Sequence, residues 1–391
     1  MTQVVVPRPG TRTRGRTVRA GAGRGADVPW RDLDWPLLGS TMILALLGLV
    51  LITSATGGPS LGASIVVRQA VFLALGSASM AVLALVDYRR LRQLVLTLYL
   101  SCTILLLVVL SPLGTEVKGT KGWLRFAGFS LQPAELVKVG LIVTLAAVFS
   151  GRGPLGIRGR FAVASGAAAV FALLVLAQGE VGSVLVYAAI TVGIMVAGGV
   201  PRRYLIGLAV LGVAGATLVV QAGLLEGYQQ DRLTTFLDLE HDVRGASYNQ
   251  HQSVTAVGSG GVWGQGLFDG PQTQLRFVPE QETDFIFTVV GEELGFAGGL
   301  LVLGLFALIL LRIHAIARSA QDDFGALLCV GVLVMLAFQL FQNVGMNLGI
   351  LPVTGIPLPL LSYGGSSLLT VLTSLGLTSS VAAQRCRGSP F

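Results

Sequence analysis

The sequence is poor in charged residues. Asp, Glu, Lys and Arg make up 12% of its 391 residues, about half of the roughly 25% that is usual in soluble domains. Apolar residues account for 53% of the chain, and the mean hydropathy is +0.75. This balance excludes an ordinary soluble domain and indicates an integral membrane protein.

Cysteine and histidine are also scarce, with three of each. Cys102 and Cys329 lie in apolar stretches and Cys386 lies near the C-terminus, so neither a disulfide pair nor a metal-ligand spacing is visible. The three histidines form no ligand cluster in the sequence. We therefore expect neither redox chemistry nor a protein-bound metal.

Apolar runs close to the ~20 residues that cross a bilayer recur along the chain. They cover approximately residues 37–54, 65–86, 91–111, 134–150, 161–177, 182–200, 205–224, 285–311, 325–346 and 363–383. These runs predict an all-α polytopic membrane protein with about ten transmembrane helices. The first 30 residues contain no apolar segment, so we expect an uncleaved first span rather than a signal peptide.

Arginine marks one side of these spans. Basic clusters precede the first span and follow every second span thereafter, at Arg89, Arg90, Arg92, Arg152, Arg158, Arg160, Arg202, Arg203, Arg312, Arg318, Arg385 and Arg387. Short cytoplasmic loops collect Lys and Arg, so both termini are predicted to be cytoplasmic. The net charge of +7 then reflects topology, and we do not expect nucleic-acid binding.

Two regions follow from this arrangement. Residues 1–30 are rich in Arg, Gly and Thr, which predicts a disordered basic cytoplasmic tail; residues 31–391 form a single transmembrane domain. A solvated tail is favoured over an arm that binds anionic lipid or a partner. The long loop between helices 7 and 8, residues 225–284, is placed on the outer face and exceeds the usual length of a connection.

Polar residues interrupt the apolar pattern in two further segments, where they are costly enough to be functional candidates. Gln132, Glu135 and Lys138 recur three residues apart at the start of the fourth span, on one helical face. Two interpretations remain open: a buried pair that neutralises itself, or a site for an anionic headgroup.

The second such segment runs from Gln339 to Ser367. A polar stripe on the ninth span is followed by prolines and glycines that forbid a continuous helix, namely Pro352, Gly355, Pro357, Pro359, Gly364 and Gly365. Irregular backbone at such depth must be covered by protein or line a wet cavity. Helix packing is the alternative.

The run RFVPEQETDFIFTVVGEELGF, residues 276–296, ends the long loop. Counting back about 20 residues from Arg312 places Glu292 and Glu293 at the outer boundary of the membrane. Asp284 would lie about 12 Å further out if the helix continues. By itself, such an acid is more often an ordinary loop residue than a functional one.

Several motifs together resemble the shape, elongation, division and sporulation family, over about residues 34–385. They are Asp87-Tyr88-Arg89, Lys118-Gly119, Trp123-Leu124, Gln132-Pro133-Ala134-Glu135 with Lys138, Phe236-Leu237-Asp238, Tyr248 with Gln252-Ser253, the glycines of 257–267, Pro279-Glu280, Thr283 to Phe287, Glu292 to Gly295, and 343–367. One departure is the segment 178–183, which reads Gln-Gly-Glu-Val-Gly-Ser where the family usually has Gln-Pro-Asp-Leu-Gly-Thr. Ala134 also replaces the family's serine. Asp34-Trp35 and Met346 look more like the elongation branch (RodA) than the division branch (FtsW).

The resemblance implies a peptidoglycan glycosyltransferase that polymerises lipid II in the membrane, beside a class B penicillin-binding protein that crosslinks the strands. It makes Asp284 the catalytic general base. Lys138 and Arg125 are the expected contacts of the departing diphosphate. The remaining substrate-binding candidates are Trp123, Gln132, Glu135, Glu292, Asn343, Ser362 and Ser366. No tightly bound cofactor is expected, and a divalent metal (Mg2+ or Mn2+) is expected only together with the substrate diphosphate.

Two rival functions belong to other classes. A flippase or transporter of lipid-linked sugar is suggested by the interrupted helix near Pro357 and by the intramembrane Lys138, although no inverted repeat is visible. A noncatalytic scaffold for the crosslinking partner would need only the apolar spans. Neither rival requires Asp284.

Overall fold

The computed structural model describes residues 33–58, 62–117, 119–126, 129–151, 155–221 and 248–384. The predicted tail and the first part of the long loop, up to residue 247, lie outside these ranges.

Ten long helices in the described ranges correspond to the ten predicted spans. They are α1 (Trp35–Ala55), α2 (Ala63–Leu85), α4 (Val95–Leu110), α5 (Pro133–Ser150), α6 (Ile157–Leu176), α7 (Val181–Ala197), α8 (Arg202–Gln221), α12 (Gly295–Arg318), α13 (Asp323–Asn347) and α14 (Gly365–Gln384). Seven are long and apolar enough to cross a membrane, and α4 and α7 are shorter apolar helices. The predicted polytopic helical fold is confirmed.

Four shorter helices complete the helical elements of the described ranges: α3 (Arg89–Gln93), α9 (Tyr248–Ser259), α10 (Pro271–Gln274) and α11 (Ile286–Glu293). The last three belong to the long loop and its junction with α12. A large part of the loop is therefore folded structure rather than an open connection.

A small antiparallel sheet, which the sequence analysis did not predict, lies between α4 and α5. Its strands are β1 (Thr115–Val117), β2 (Thr120–Phe126) and β3 (Phe129–Leu131), in the order β1-β2-β3. Thr, Trp, Leu and Phe favour such half-buried strands. The sheet lies directly before the start of α5.

Ion pairs and side-chain hydrogen bonds define one end of the bundle. Asp34 caps α1 by accepting from the Leu37 amide and also binds Arg312 at the end of α12, with Oδ2 to Nη2 at 2.6 Å. The Tyr88 hydroxyl donates to Asp322 at 2.9 Å. The starts of α1 and α13 thus lie with the ends of α2 and α12, as the arginine pattern predicts for one side.

At the opposite end, Ser54 in the last turn of α1 donates to Glu293 Oε1 at 2.5 Å. The Ala55 carbonyl accepts from the Gln281 side chain at 2.6 Å. Residues 270–293 therefore dock onto the end of α1 that lies away from the arginine-rich side.

The eighth span differs from the prediction. A helix was expected to run unbroken from residue 285, but it is broken at Leu294–Gly295, which separates α11 from α12. Gly295 has a φ of +66°, a conformation that only glycine adopts readily. The predicted height of Asp284, about 12 Å above Glu292 on a continuous helix, therefore does not follow from this structure.

The helices α5 and α14 form the centre of the bundle, since 78% and 89% of the residues in their most apolar 18-residue stretches are buried. By contrast, α2 and α6 are mostly exposed, at 17% and 22% buried, as expected for helices that face lipid. Along α14, the hydroxyls of Thr370, Ser374 and Thr378 each donate to the carbonyl four residues earlier. Their polar groups are thereby satisfied inside an apolar core.

Candidate active site

Asp284 lies just before α11 in a tight turn and is half-buried. The amides of Thr283, Asp284 and Phe285 all donate to the carbonyl of Glu280. Glu280 itself has a φ of +56°, which a non-glycine residue adopts only at a cost. The turn therefore presents Asp284 in one defined backbone conformation.

Two asparagines of the predicted polar stripe hold this turn. The Asn343 side-chain amide donates to the Asp284 carbonyl at 2.9 Å and to the Ile356 carbonyl at 2.8 Å. The Asn347 amide donates to the same Asp284 carbonyl at 3.1 Å. Both asparagines are fully buried. The stripe on α13 thus positions the backbone of Asp284, and in this arrangement Asn343 binds protein carbonyls.

Glu292 anchors the loop from the far end of α11. Its Oε1 accepts from the Gln272 amide at 2.7 Å, and its Oε2 accepts from the Thr273 amide at 2.9 Å and from the Thr273 hydroxyl at 2.7 Å. The residue is completely buried. A carboxylate at the start of α10 satisfies amides that have no partner within the helix. This geometry is that of a positioning residue.

A second polar cluster lies in the first turn of α5. Lys138 Nζ is 2.5 Å from Glu135 Oε1, and both side chains are at least 95% buried. The expected pair is therefore present in the structure. Glu135 Oε2 has no hydrogen-bond partner in the described residues, so the cluster retains acceptor capacity.

Glu180 joins this cluster from the loop between α6 and α7. Ser183 donates to its Oε2 at 3.2 Å. Burial, which has the largest effect, and the nearby charge of Glu135 raise the pKa of Glu180, whereas hydrogen bonds from Gln132 and Ser183 and the charge of Lys138 lower it; together they give a pKa of about 7. Glu180 is therefore an acid that can hold a proton near neutral pH.

In this loop, the sequence departs from the family motif at a residue with an unusual backbone conformation. Gly179 has a φ of +83°, whereas proline is restricted to a φ near −65°. A proline at this position could not take the observed turn. The carboxylate of Glu180 is thus delivered by a different local conformation from the one that the family's usual sequence would adopt.

The sheet covers Glu180. The Lys121 amide donates to the Gln178 carbonyl at 3.0 Å, and a Cβ added at Gly122 would lie 1.9 Å from Glu180 Oε1. On the same strand, Trp123 is half-buried and Arg125 is exposed. The strand thus brings these two candidates to the rim of the cluster.

Gln132 and Ser366 connect the cluster to α14. The Gln132 amide donates to Ser366 Oγ at 2.8 Å. Ser362 Oγ accepts from the Leu358 amide at 2.8 Å, so both candidate serines are engaged by protein amides. Each hydroxyl can still donate one hydrogen bond of its own.

The segment between α13 and α14 is non-helical, as its prolines and glycines predict, and it connects the two polar clusters. The Tyr363 amide donates to the Glu282 carbonyl at 2.7 Å, beside Asp284. At the other cluster, a Cβ added to Gly182 would lie 2.6 Å from the Thr354 carbonyl. Asp284 and the Glu135–Lys138 pair thus lie on two sides of one irregular segment.

An apolar cleft of about 320 Å³ lies beside the second cluster, between α4, α5 and α14. It is lined by Leu98, Ser101, Cys102, Leu105, Leu136, Val139, Gly140 and Thr373. Leu136 and Val139 flank Lys138 on α5. None of these lining residues belongs to the polar stripe of α13 or to the Pro/Gly segment.

The matching family model covers residues 35–387 and is described as the FtsW, RodA and SpoVE cell cycle protein family. The chain belongs to this family. The sequence is 36% identical to the peptidoglycan glycosyltransferase MrdB of Escherichia coli K12, over 92% of this chain and 98% of that protein. It is also 36% identical to a probable peptidoglycan glycosyltransferase FtsW of Geobacter metallireducens, over 83% and 86% of the two chains.

Solved structures of FtsW/RodA/SpoVE proteins have the same fold. One, from a peptidoglycan synthase complex described as coordinating polymerization and crosslinking, gives a TM-score of 0.77 at 32% identity, over 90% of this chain and 98% of that chain. The rod shape determining protein RodA of Thermus thermophilus gives 0.69 at 31% identity, over 92% and 99%. Together with the membrane-length helices, these bacterial relatives identify a multi-pass inner membrane protein.

One candidate on the family's fold was missed by sequence analysis. Arg68 is exposed in the second turn of α2 and shares a helix face with Phe72 and Ser79. The Ser79 hydroxyl is 3.0 Å from that of Thr373, which lines the cleft. Arg68 therefore lies on the α2 face that packs against α14. The signal was available, because a charge inside a predicted span is a functional candidate by default.

Metal-binding potential is limited in the parts of the chain that the structure describes. No three His, Cys, Asp or Glu side chains there are grouped as metal ligands usually are.

Proposed function

We propose that the protein is a peptidoglycan glycosyltransferase that polymerises lipid II, with Asp284 as the general base. The observation that carries the assignment of Asp284 is the fixation of its backbone by two buried asparagines. A catalytic carboxylate must be held within a fraction of an ångström of its working position. Relatives that carry the name peptidoglycan glycosyltransferase over most of their length support the reaction class.

In the proposed reaction, the 4-hydroxyl of an acceptor sugar transfers its proton to the Asp284 carboxylate. The hydroxyl oxygen forms a bond to the anomeric carbon of the donor. The bond from that carbon to the lipid diphosphate breaks, and the diphosphate leaves with the electron pair. A general base of this kind contributes roughly 10²–10⁴-fold to the rate.

Cations near the second cluster are proposed to bind the diphosphate. Lys138 is buried next to Val139, which lines the cleft, whereas Arg125 on β2 and Arg68 on α2 are exposed. Positive groups placed where negative charge accumulates stabilise the leaving group. Mg2+ or Mn2+ carried by the diphosphate would add to that charge. Glu135 and Trp123 line this region and remain proposed substrate contacts.

The apolar cleft is the proposed site of the lipid tail. It is lined almost entirely by apolar atoms, and two of its lining residues, Leu136 and Val139, flank Lys138 in the sequence. We propose that a chain lying in the cleft places its charged end near the cluster. Five further candidates bind protein groups around Asp284 and the Glu135–Lys138 pair through the contacts described above: Glu292, Asn343, Gln132, Ser362 and Ser366. We assign Glu292 and Asn343 to positioning.

A class B penicillin-binding protein is the proposed partner, supported by the structural likeness to a chain of a synthase complex that polymerises and crosslinks. We also propose a role in cell elongation. Asp34 was one of the residues that resemble the elongation branch, but it caps α1 and pairs with Arg312, so the fold alone explains its presence. The role in elongation therefore needs a cellular test. Depletion should convert rod-shaped cells to spheres; filaments would indicate division instead.

The purified chain in vesicles with labelled lipid II, with and without the transpeptidase, tests the proposal. We expect glycan polymer from the native chain and none from Asp284→Ala or Asp284→Asn. Glu282→Gln, two residues away, is the matched control and should polymerise normally. Full polymerisation by Asp284→Asn would exclude Asp284 as the general base. Lipid translocation without polymer would favour a flippase, and neither activity with intact partner binding would favour a scaffold.

A further inference from the structure

The turn that follows α9 exposes apolar side chains at the end of the bundle that carries Asp284. We name residues 258–268 the Trp263 turn. Trp263 is 83% exposed and Val262 is 58% exposed, and Leu267 and Phe268 are each 41% exposed. No Asp, Glu, Lys or Arg occurs between residues 245 and 268. Such an uncharged, exposed apolar patch marks an interaction surface.

Backbone polar groups of the turn are paired despite its irregular shape. The carbonyls of Gly261 and Val262 accept from the first amides of α12, at 2.9 and 3.0 Å, and the amides of Gln265 and Gly266 donate to the end of α11, at 3.0 and 3.1 Å. The Gln265 side chain donates to the Ser259 carbonyl at 3.1 Å. Irregular backbone away from water requires this kind of internal pairing. A turn in bulk water would not need it.

The same hydrogen bonds set the depth of the turn. Its partners Phe296 and Ala297 lie in the first turn of α12, a helix of 24 residues. At ~1.5 Å per residue this helix is about 36 Å long, slightly more than the ~30 Å hydrocarbon core. Its first turn therefore lies near the boundary between hydrocarbon and headgroups, and so does the Trp263 turn.

The exposed side chains of the turn continue the outer wall of α12. Phe296, Leu300 and Leu301 are 69%, 60% and 58% exposed on that helix, as expected for a surface that faces lipid. Tryptophan is enriched at membrane interfaces, where its ring lies at the level of the headgroups. The patch is thus continuous with a lipid-facing surface and has the composition of an interface.

We propose that the Trp263 turn inserts into the membrane interface beside α12 and binds phospholipid. The turn is hydrogen-bonded to both sides of the α11–α12 junction, and α11 connects that junction to Asp284 over eight residues. Lipid contact at the turn therefore fixes the height of the Asp284 segment relative to the bilayer. This inference concerns the membrane and does not depend on the proposed reaction.

Tryptophan fluorescence of the full chain in phosphatidylcholine vesicles tests the proposal. Trp30, Trp35 and Trp123 are replaced by Phe so that Trp263 is the only emitter. Acyl chains brominated close to the glycerol should reduce its emission by roughly half, as expected for a ring at the interface. Chains brominated near the methyl end should quench less, and aqueous iodide should quench little. A matched variant that keeps only Trp123, on the half-buried strand, should respond weakly to brominated lipid.

Two outcomes would overturn the proposal. Free quenching by iodide without bromine quenching would place the turn in water, and protection from both quenchers would indicate cover by a second copy of the chain. If the triple variant fails to fold, Trp263→Phe in the otherwise native chain gives the same information. The bromine-quenched part of the emission should then fall, and unchanged quenching would contradict lipid contact.

Discussion

The Asn343 side chain donates a hydrogen bond of 2.9 Å to the backbone carbonyl of Asp284. The two residues lie on different helical elements, since Asn343 belongs to α13 and Asp284 precedes α11. The same amide also binds the Ile356 carbonyl, so one buried side chain fastens the Asp284 turn to the irregular segment. The position of the carboxylate thus depends on a residue that need not touch substrate.

Replacing Asn343 by Ala should lower polymerisation by about 10–100-fold, because a displacement of about 1 Å at a catalytic group costs up to ~10²-fold in rate. Gln342→Ala is the matched control, since its amide binds the Pro352 carbonyl at 3.1 Å instead. Initial rates and thermal stability of both variants would be measured in the same detergent. If Asn343→Ala and Gln342→Ala lose equal amounts of rate and of stability, Asn343 contributes to packing alone.

The Glu135–Lys138 pair predicts a strongly non-additive pair of substitutions. Lys138→Met leaves a buried carboxylate without its partner and should destabilise the protein by about 3–5 kcal/mol, whereas Lys138→Met with Glu135→Gln should recover most of that loss. Chemical unfolding of the two single variants and the double variant gives the coupling. Under the proposed function, the double variant remains inactive despite its recovered stability. An active double variant would remove Lys138 from substrate binding.

Glu180 predicts a dependence of stability on pH. Burial raises its pKa from 4.5 to about 7, so between these values the folded state keeps a proton that the unfolded state has released. The free energy of unfolding must therefore fall as the pH rises from 4.5 to 7, by up to about 3 kcal/mol. Glu180→Gln should lose this component. Thermal unfolding of both proteins across the range tests it, and identical pH profiles would contradict the raised pKa.

Glu292→Gln should weaken the attachment of residues 271–281 to the protein, whereas α11, the helix that carries residue 292, should stay folded. One of the two oxygens that accept from the Gln272 and Thr273 amides is replaced by an NH2 group that cannot accept, and a buried amide left without its acceptor costs about 1–3 kcal/mol. Hydrogen exchange of residues 271–281 should accelerate while that of α13 stays unchanged. Glu282→Gln serves as the control, and unaltered exchange in the Glu292 variant would contradict the anchoring role.

The helical spans could be predicted because a bilayer leaves few alternatives for apolar runs of this length. The cap at Asp34 and the break between α13 and α14 also follow from local chemistry, through a side chain that accepts at a helix start and through prolines that cannot continue a helix. Arginine parity supplied the predicted orientation. Each of these signals lies within a few neighbouring residues.

The remaining features depend on contacts between distant residues. Gly295 breaks the eighth span where residues 262–264 lie against it, with the Gly264 nitrogen 2.2 Å from where a Cβ would lie, while other glycines nearby remain helical. The polar stripe on α13 was visible, but its target, the Asp284 carbonyl, lies 59 residues away. Arg68 was overlooked because it was counted as part of a span. Neither periodicity nor composition identifies such partners.

The contact between Ser54 and Glu293 joins positions 239 residues apart. A ribosome that adds about 5–20 residues per second needs roughly 10–50 s to make the chain between them. During that time the first span is already in the membrane, but the segment that docks onto its end has not yet been made. Asn343 is translated later still. The newly made protein therefore acquires the proposed catalytic geometry only near the end of synthesis, so chains that stall midway are expected to be inert in the membrane.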